Sequence, residues 1–429
     1  MRYCVKNGEI IDPAGGYVGA GDLLIESGKI VAIGAALSVE DAQMIAADGK
    51  IVCPGFIDMH CHLREPGRED AETIASGTKA AVKGGFTAVA SMANTNPVAD
   101  TPVTIEYIRS KAAQAGWAKV YPVGAITKGL KGEELAEMGE LAAAGAVAFS
   151  DDGKTIMNAV VLRSAMEYST LFGLPLLLHQ EDPNLAGNGV MHEGYWSMVL
   201  GLPGIPDIAE STVVGRDLQI AEMTGAKIHL CHLSTARSVA LLQTAKTRGI
   251  HVTAEATPHH FSLTDEKVQG YNPVYRVSPP LRSAADVAAV KAGLRDGTID
   301  AIATDHAPHT AEEKHREFSL ALTGMIGLET ALAVAWTELV RGGWLTQTQL
   351  IERMAVAPAR ILNRPGGRLQ PGDPADVVIF DPNREWEVKP EDLVSQSHNS
   401  PFLGRKLYGK VETVWVEGTL KYCNEKFNE

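Results

Sequence analysis

From about residue 55 to 360 the chain alternates short apolar runs with longer amphipathic stretches. The apolar runs are FIDMH, FTAVASM, KVYPVGAI, AVAFS, LPLLLH, KIHLCH, HVTAEAT and AIATD, each of buried-strand length. Between them lie EDAETIASGTKAAVKGG, AEMGELAAAG, TVVGRDLQIAEMTG and AADVAAVKAGLRDG, which read as helices. Eight strands alternating with helices predict parallel βα units, and eight such units can close a barrel. The two ends have a different texture. VKNGEIID, GDLLIESGKIVAIG and GKIVCPGFID place Asn-Gly, Ser-Gly and Asp-Gly turns between β-rich runs, and GGRLQPGDPADVVIFDP and KLYGKVETVWVEGTLKY repeat that pattern near the other end. One small β-domain assembled from both termini is the expectation.

Metal-type side chains fall where these strands end. The first predicted strand finishes in His60-Cys61-His62; alternation points His60 and His62 the same way and Cys61 away. The fourth ends at Asp151-Asp152, the fifth at His179, the sixth at His232 and the eighth at Asp305. In a parallel barrel the carboxyl ends of all strands meet at one mouth, so these residues become neighbours. A single histidine at a strand end is ordinarily a hydrogen-bonded rim residue. Four histidines and two aspartates spread over five strand ends are not explained that way. They form the borderline-to-hard ligand set that Zn²⁺ takes at catalytic sites. Six ligands exceed the needs of one tetrahedral ion, so two ions are expected. His60, His62 and Asp305 would hold one, His179 and His232 the other, and Asp152 would bridge them. A carboxylate such as Asp305 beside the attacking oxygen can also act as general base and then general acid.

Composition narrows the function classes. The 429 residues carry 39 Lys+Arg against 52 Asp+Glu, a net charge of −13, which disfavours nucleic acid as a partner. No apolar run is long enough to cross a membrane, and MRYCVKNGEIIDPAGG lacks a signal peptide's apolar core. Five scattered cysteines favour reduced thiols and a cytoplasmic setting.

The strings GFIDMHCHLREPG (55–67), ANTNP (93–97), FSDDG (149–153), LLHQED (177–182), LCHLST (230–235) and ATDHAPHT (303–310) resemble the amidohydrolase superfamily, and within it bacterial class I dihydroorotases. PGDPADVVIFDP (371–382) looks like that family's closing β-segment, so the resemblance spans nearly the whole chain. It implies a (β/α)8 TIM-like barrel over residues 54–364 with a small β-sandwich domain built from 1–53 and 365–429. It also implies reversible conversion of L-dihydroorotate and N-carbamoyl-L-aspartate, the third step of de novo pyrimidine synthesis. Hydroxide held between two Zn²⁺ ions would open the ring, with Asp305 as general acid/base. The family's carboxylate-binding residues fall on Arg64, Asn94 and His309, beside His62, while Ser278, Thr323 and Gly324 fall on other substrate positions. Ser278 stands where relatives usually carry Asn, and Thr323 where they carry an aromatic residue. Residues 309–330 look like the family's mobile loop.

Two further classes are weighed. A cyclic amidohydrolase for hydantoin, dihydropyrimidine or allantoin would need a carboxylated bridging lysine. Lys154 lies past the predicted strand end, and Asp152 already supplies a bridge. A metal-free scaffold for aspartate transcarbamoylase would have lost ligands, whereas all six positions are filled here. Association with aspartate transcarbamoylase stays open alongside catalysis, and family analogy implies a homodimer. His259-His260 are expected to be structural, and Cys61 and Cys231 to point into the barrel wall.

Overall fold

The computed structural model describes residues 1–428. The first strands are β1 (Arg2–Asp12), β2 (Tyr17–Glu26), β3 (Lys29–Gly34), β4 (Gln43–Ala46) and β5 (Ile51–Pro54). Ser27 and Gly28, both at positive φ (52° and 82°), form the two-residue turn joining β2 to β3. Such a turn matches the natural twist of a hairpin. Next come β6 (Phe56–Cys61), β7 (Phe86–Ser91), β8 (Lys119–Gly124), β9 (Ala148–Phe149) and β10 (Leu176–Leu178). A short parallel pair, β11 (Met191–His192) and β12 (Gly204–Ile205), lies in the segment after β10. Then follow β13 (Ile228–Leu230), β14 (Val252–Ala256) and β15 (Ala301–Ile302), and finally β16 (Val377–Glu387), β17 (Lys406–Val416), β18 (Thr419–Cys423) and β19 (Lys426–Phe427).

The eight central strands pair in the order β6-β7-β8-β9-β10-β13-β14-β15, all parallel, with helices between them. The seam between β15 and β6 is closed by the His62 amide donating to His306 O at 2.8 Å. Thr304 adds its amide (2.9 Å) and hydroxyl (2.6 Å) to the buried Asp58 carboxylate. Burial pushes the Asp58 carboxyl up to about 6 despite those two donors.

Small apolar side chains fill the lower barrel interior: Ile57, Met59, Ala88, Ala90, Ala148 and Ala301, with Ala359 and Leu362 packed beneath. Alternate residues, among them Val89, Phe149, Leu176 and Leu178, face outward into the helix layer. The helix Ile74–Lys83 is typical of that layer. Thr73 and Ser76 cap its start reciprocally, and it buries Ile74, Ala81 and Val82 against the strands. Each large aliphatic side chain so buried contributes about 1.5–3 kcal/mol.

Strands from both ends form one nine-stranded sheet, ordered β19-β18-β17-β16-β5-β1-β2-β3 with β4 also on β1. β5 joins the two ends, running parallel to β1 and antiparallel to β16. Tyr3 on β1 meets Trp415 on β17 with ring centroids 5.8 Å apart, although β5 and β16 lie between. A flat sheet would separate those strands by about 14 Å. The sheet therefore curls over a core of its own, which includes Val5, Leu23, Val52, Val377 and Trp415. This is the β-structure from both termini expected from the turn pattern, made by one curled sheet. The chain enters the barrel through Gly55, where a Cβ would lie 2.2 Å from Thr87 Cγ2. Among the described residues, no helix is long and apolar enough to cross a membrane.

Candidate metal centre and substrate cavity

β6 carries a bulge where it turns polar. Asp58 pairs with Val89 and Cys61 with Ser91, so three steps on β6 match two on β7. The extra residue shifts the alternation. Ile57 and Met59 face the barrel interior below it, and His60 and His62 point to the mouth above it. Cys61 turns to the wall, its thiol donating to Ala90 O at 3.3 Å.

His179 and Asp152 follow β10 and β9. His232 and Asp305 follow β13 and β15 at positive φ (35° and 47°), which aims both side chains into the mouth. All six are buried. Their donor atoms form two groups, His60/His62/Asp305 and Asp152/His179/His232, each within a 4.8 Å span. Asp152 divides its oxygens between them. Oδ2 lies 3.4 Å and 3.5 Å from Nε2 of His60 and His62. Oδ1 lies 3.3 Å from both His179 Nδ1 and His232 Nε2. Burial alone would raise Asp152 and Asp305, but the surrounding imidazoles hold both carboxyls well below the usual range.

The donor set fits divalent metal. His60 Nε2 is buried without a hydrogen-bond partner. His179 Nδ1 and His232 Nε2 face each other at 2.9 Å, where two ring N–H groups could not both point. Imidazole nitrogens and carboxylate oxygens converging in this way suit borderline ions.

Residues behind the centre fix its imidazoles. His62 Nδ1 donates to Asn94 Oδ1 at 2.8 Å, leaving Nε2 as the lone-pair nitrogen. His60 Nδ1 lies 2.6 Å from Glu255 Oε1, Glu255 Oε2 lies 3.0 Å from His229 Nε2, and His229 Nδ1 lies 2.8 Å from Thr253 Oγ1. Burial would raise Glu255, but His60 and His229 hold its carboxyl down to about 2. Sequence reasoning missed this chain. Its signal was a glutamate inside the otherwise small and apolar run of β14.

Cys231 corrects an expectation. It faces the barrel interior with Leu177 and Ala303, and its sulfur lies within 4.8 Å of ligand atoms of His60 and Asp152. His229 and Cys231 share the inward parity of β13. The turn at His232 then brings the next side chain inward as well, so neighbouring residues point to the same side. His260 is structural, bonded to Thr257 Oγ1 (2.8 Å) and Pro279 O (2.9 Å). His259 is buried beside it and does not line the cavity.

Above the centre lies a cavity of about 480 Å³. It is lined by His62, Arg64, Asn94, Ser278, His309, Thr323 and Gly324, together with Asp152, His179, His232 and Asp305. Arg64 Nε donates to Pro308 O at 3.0 Å, which orients the guanidinium, and burial pushes that group down to about 10. Burial and Arg64 push His309 down to about 4, and its Nε2 lies 2.8 Å from Thr323 O. His309 therefore holds the loop as well as facing the cavity. A Cβ on Gly324 (φ +141°) would lie 2.8 Å from Ala307 Cβ and 2.9 Å from His309 Nε2. Ser278 Oγ donates to Glu181 Oε2 at 3.2 Å. Lys154 lines the same cavity.

The 309–324 segment is anchored by groups that the sequence did not single out. Lys314 Nζ donates to Leu322 O (2.9 Å), Gly324 O (3.1 Å) and Arg276 O (3.3 Å). Asn399 Nδ2 donates to Ala307 O (3.0 Å) and Gly324 O (3.1 Å).

Known proteins share this architecture and sequence. A dihydro-orotase-like family model matches residues 49–238, and an amidohydrolase family model matches 215–421. A dihydroorotase of Pelotomaculum thermopropionicum is 53% identical over 409 residues, covering 95% of this chain and 96% of that protein. A dihydroorotase of Acetivibrio thermocellus is 50% identical, covering 97% and 98%. Among solved structures, an L-hydantoinase (dihydropyrimidinase) from Arthrobacter aurescens superposes with a TM-score of 0.88 at 24% identity, covering 100% of this chain and 97% of that one. That last likeness concerns the fold. The identity to the curated relatives runs through nearly the full length of both chains, and by it this chain belongs to the dihydroorotase family of the amidohydrolase superfamily.

Proposed function

We propose that the chain is a metal-dependent dihydroorotase that interconverts L-dihydroorotate and N-carbamoyl-L-aspartate. The observation that carries this reading is one cavity joining a divided ligand set to a cationic clamp. Asp152 presents one oxygen to each group of imidazoles, and Arg64 and Asn94 stand in the cavity wall above them. Two Zn²⁺ ions would fit these donors: His60, His62 and Asp305 would hold one, His179 and His232 the other, and Asp152 would serve both. Such ions supply Lewis acidity and lower the pKa of water to near neutral.

The protein's own groups do the rest. Arg64 offers a planar pair of N–H donors to the substrate carboxylate. Asn94 accepts from His62 through Oδ1, so its Nδ2 hydrogens are left to donate to the same carboxylate. Thr323 and Gly324 form the wall that the loop contributes. Asp305 turns Oδ1 toward His62 Nε2 at 3.1 Å. Its other oxygen takes the proton of the attacking water and returns it to the ring nitrogen as the amide bond breaks. The loop carrying Thr323 and Gly324 limits water access while the ring opens.

The domain division at 54–364, flanked by 1–53 and 365–429, and a cytoplasmic setting belong to the same proposal. The test is hydrolysis of L-dihydroorotate by metal-loaded protein, with N-carbamoyl-L-aspartate identified as product and formed reversibly. Absence of that product with both ions bound would remove the proposal.

A further inference from the structure

The cavity has a wall that the reading above leaves unused. Glu181 is the one carboxylate lining it besides Asp152 and Asp305, among the described residues. Its place is fixed. The Glu181 amide donates to Thr155 Oγ1 at 3.0 Å, and that hydroxyl donates to His179 O at 2.8 Å. Ser278 donates its only hydroxyl proton to Glu181 Oε2 at 3.2 Å, so Ser278 Oγ keeps its lone pairs. Glu181 Oε1 has no protein donor among the described residues. Glu181 and Ser278 therefore present hydrogen-bond acceptors to the cavity, whose lining also includes Lys154 and Arg276, whereas Arg64 and Asn94 present donors.

An acceptor wall cannot hold the substrate carboxylate, which it would repel. Dihydroorotate offers it two N–H groups. The nitrogen of the scissile bond gains electron density as that bond breaks and needs a proton donor, so an anionic acceptor there would oppose reaction. The other ring nitrogen, next to the carbon that bears the carboxylate, stays within the urea group and keeps its hydrogen. We propose that Glu181, oriented by Ser278, is a specificity-determining residue that accepts the hydrogen bond of this second ring N–H. The inference rests on the dihydroorotase reading. It also gives Ser278 a role: the shorter side chain acts by aiming a carboxylate, where an asparagine would reach the ring itself.

The test compares two substrates with zinc-loaded wild-type protein and Glu181→Ala. One is L-dihydroorotate. The other is 2,6-dioxopiperidine-4-carboxylate, which has CH2 in place of the second N–H and keeps both the carboxylate and the scissile imide. Intrinsic reactivity cancels when the kcat/KM ratio of the two substrates is compared between proteins. A hydrogen bond to a charged acceptor is worth roughly ten- to a hundredfold, so the wild-type preference for dihydroorotate should fall by about that factor in Glu181→Ala. Metal content should be unchanged, which separates this effect from damage to His179. Ser278→Ala should lose part of the same preference. A ratio that stays within twofold of wild type in Glu181→Ala overturns the proposal. If that variant does not fold, Glu181→Gln is read in the same way, with a drop of at least threefold expected and no drop overturning it. Failure of wild-type protein to open dihydroorotate would strike the functional reading instead.

Discussion

Replacing Glu255 tests how the protein prepares His60 for metal. The carboxylate accepts from His60 Nδ1 at 2.6 Å and from His229 Nε2 at 3.0 Å, all fully buried. Holding hydrogen on Nδ1 leaves Nε2 as the lone-pair nitrogen at the mouth. Glu255→Gln keeps one acceptor and turns the other into a donor. His229 can switch tautomer so that Nε2 accepts from that donor, while Nδ1–H donates to Thr253 Oγ1, whose hydroxyl oxygen can accept. The loss is then one charge-assisted bond weakened to a neutral one, about 1.4 kcal/mol, or about tenfold in metal affinity. Glu255→Ala removes both acceptors. His60 is free to present the wrong nitrogen, and the loss should reach about a hundredfold, the upper end for a partner behind a ligand. Zinc titration against a competing chelator measures both. The weakened ion should be the one sharing His60, giving two unequal binding steps, with far-UV circular dichroism unchanged. Affinities within twofold of wild type in both variants, or a milder effect for alanine than for glutamine, would refute the reasoning.

Two other expectations follow from single residues. Asp152→Asn leaves one oxygen where two are used, so metal content should drop from about two ions to one or fewer and turnover by about a hundredfold or more; elemental analysis that finds both ions retained would contradict the bridging role. Burial, with Arg276 nearby, pushes Lys314 down from 10.5 to about 7 in the closed loop. An opened loop restores the ordinary value and binds more protons between those limits, so the closed form gains stability as pH rises from about 7 to 10.5 and loses that gain as pH falls through 7. Hydrogen exchange of amides 309–324, corrected for intrinsic rates, should show this trend and lose it in Lys314→Met. A trend that persists in that variant would exclude Lys314 as its source.

Much of this was legible in the chain. Seven of the eight barrel strands fall within the predicted apolar runs and β6 runs one residue past its own, to Cys61, because parallel buried strands are written as short apolar segments. The metal-type residues stood out because a parallel barrel gathers strand ends at one mouth. What the sequence hid depends on backbone detail. The bulge at Asp58–Cys61 lets Ile57, Met59, His60 and His62 all face inward, which strict alternation forbids. Cys231 faces inward by the parity of β13, and the positive φ at His232 turns the next side chain inward as well, against the expectation that Cys231 would lie in the wall. Neither feature follows from residue type. Glu255 was readable as an anomaly in a strand, but its partner His60 lies 195 residues away, and only the closed barrel joins them. The pairing of Ser278 with Glu181 is hidden for the same reason, since 97 residues separate them.

The most direct measurement sets kcat/KM for L-dihydroorotate beside dihydrouracil, hydantoin and allantoin, in zinc-loaded wild type and in Arg64→Met. Wild type should open L-dihydroorotate selectively, and Arg64→Met should lose well over tenfold on that substrate alone, through the charged clamp on its carboxylate. A wild-type preference for an uncharged ring, or an Arg64→Met variant as fast on dihydroorotate as wild type, would contradict the clamp and the substrate assignment together.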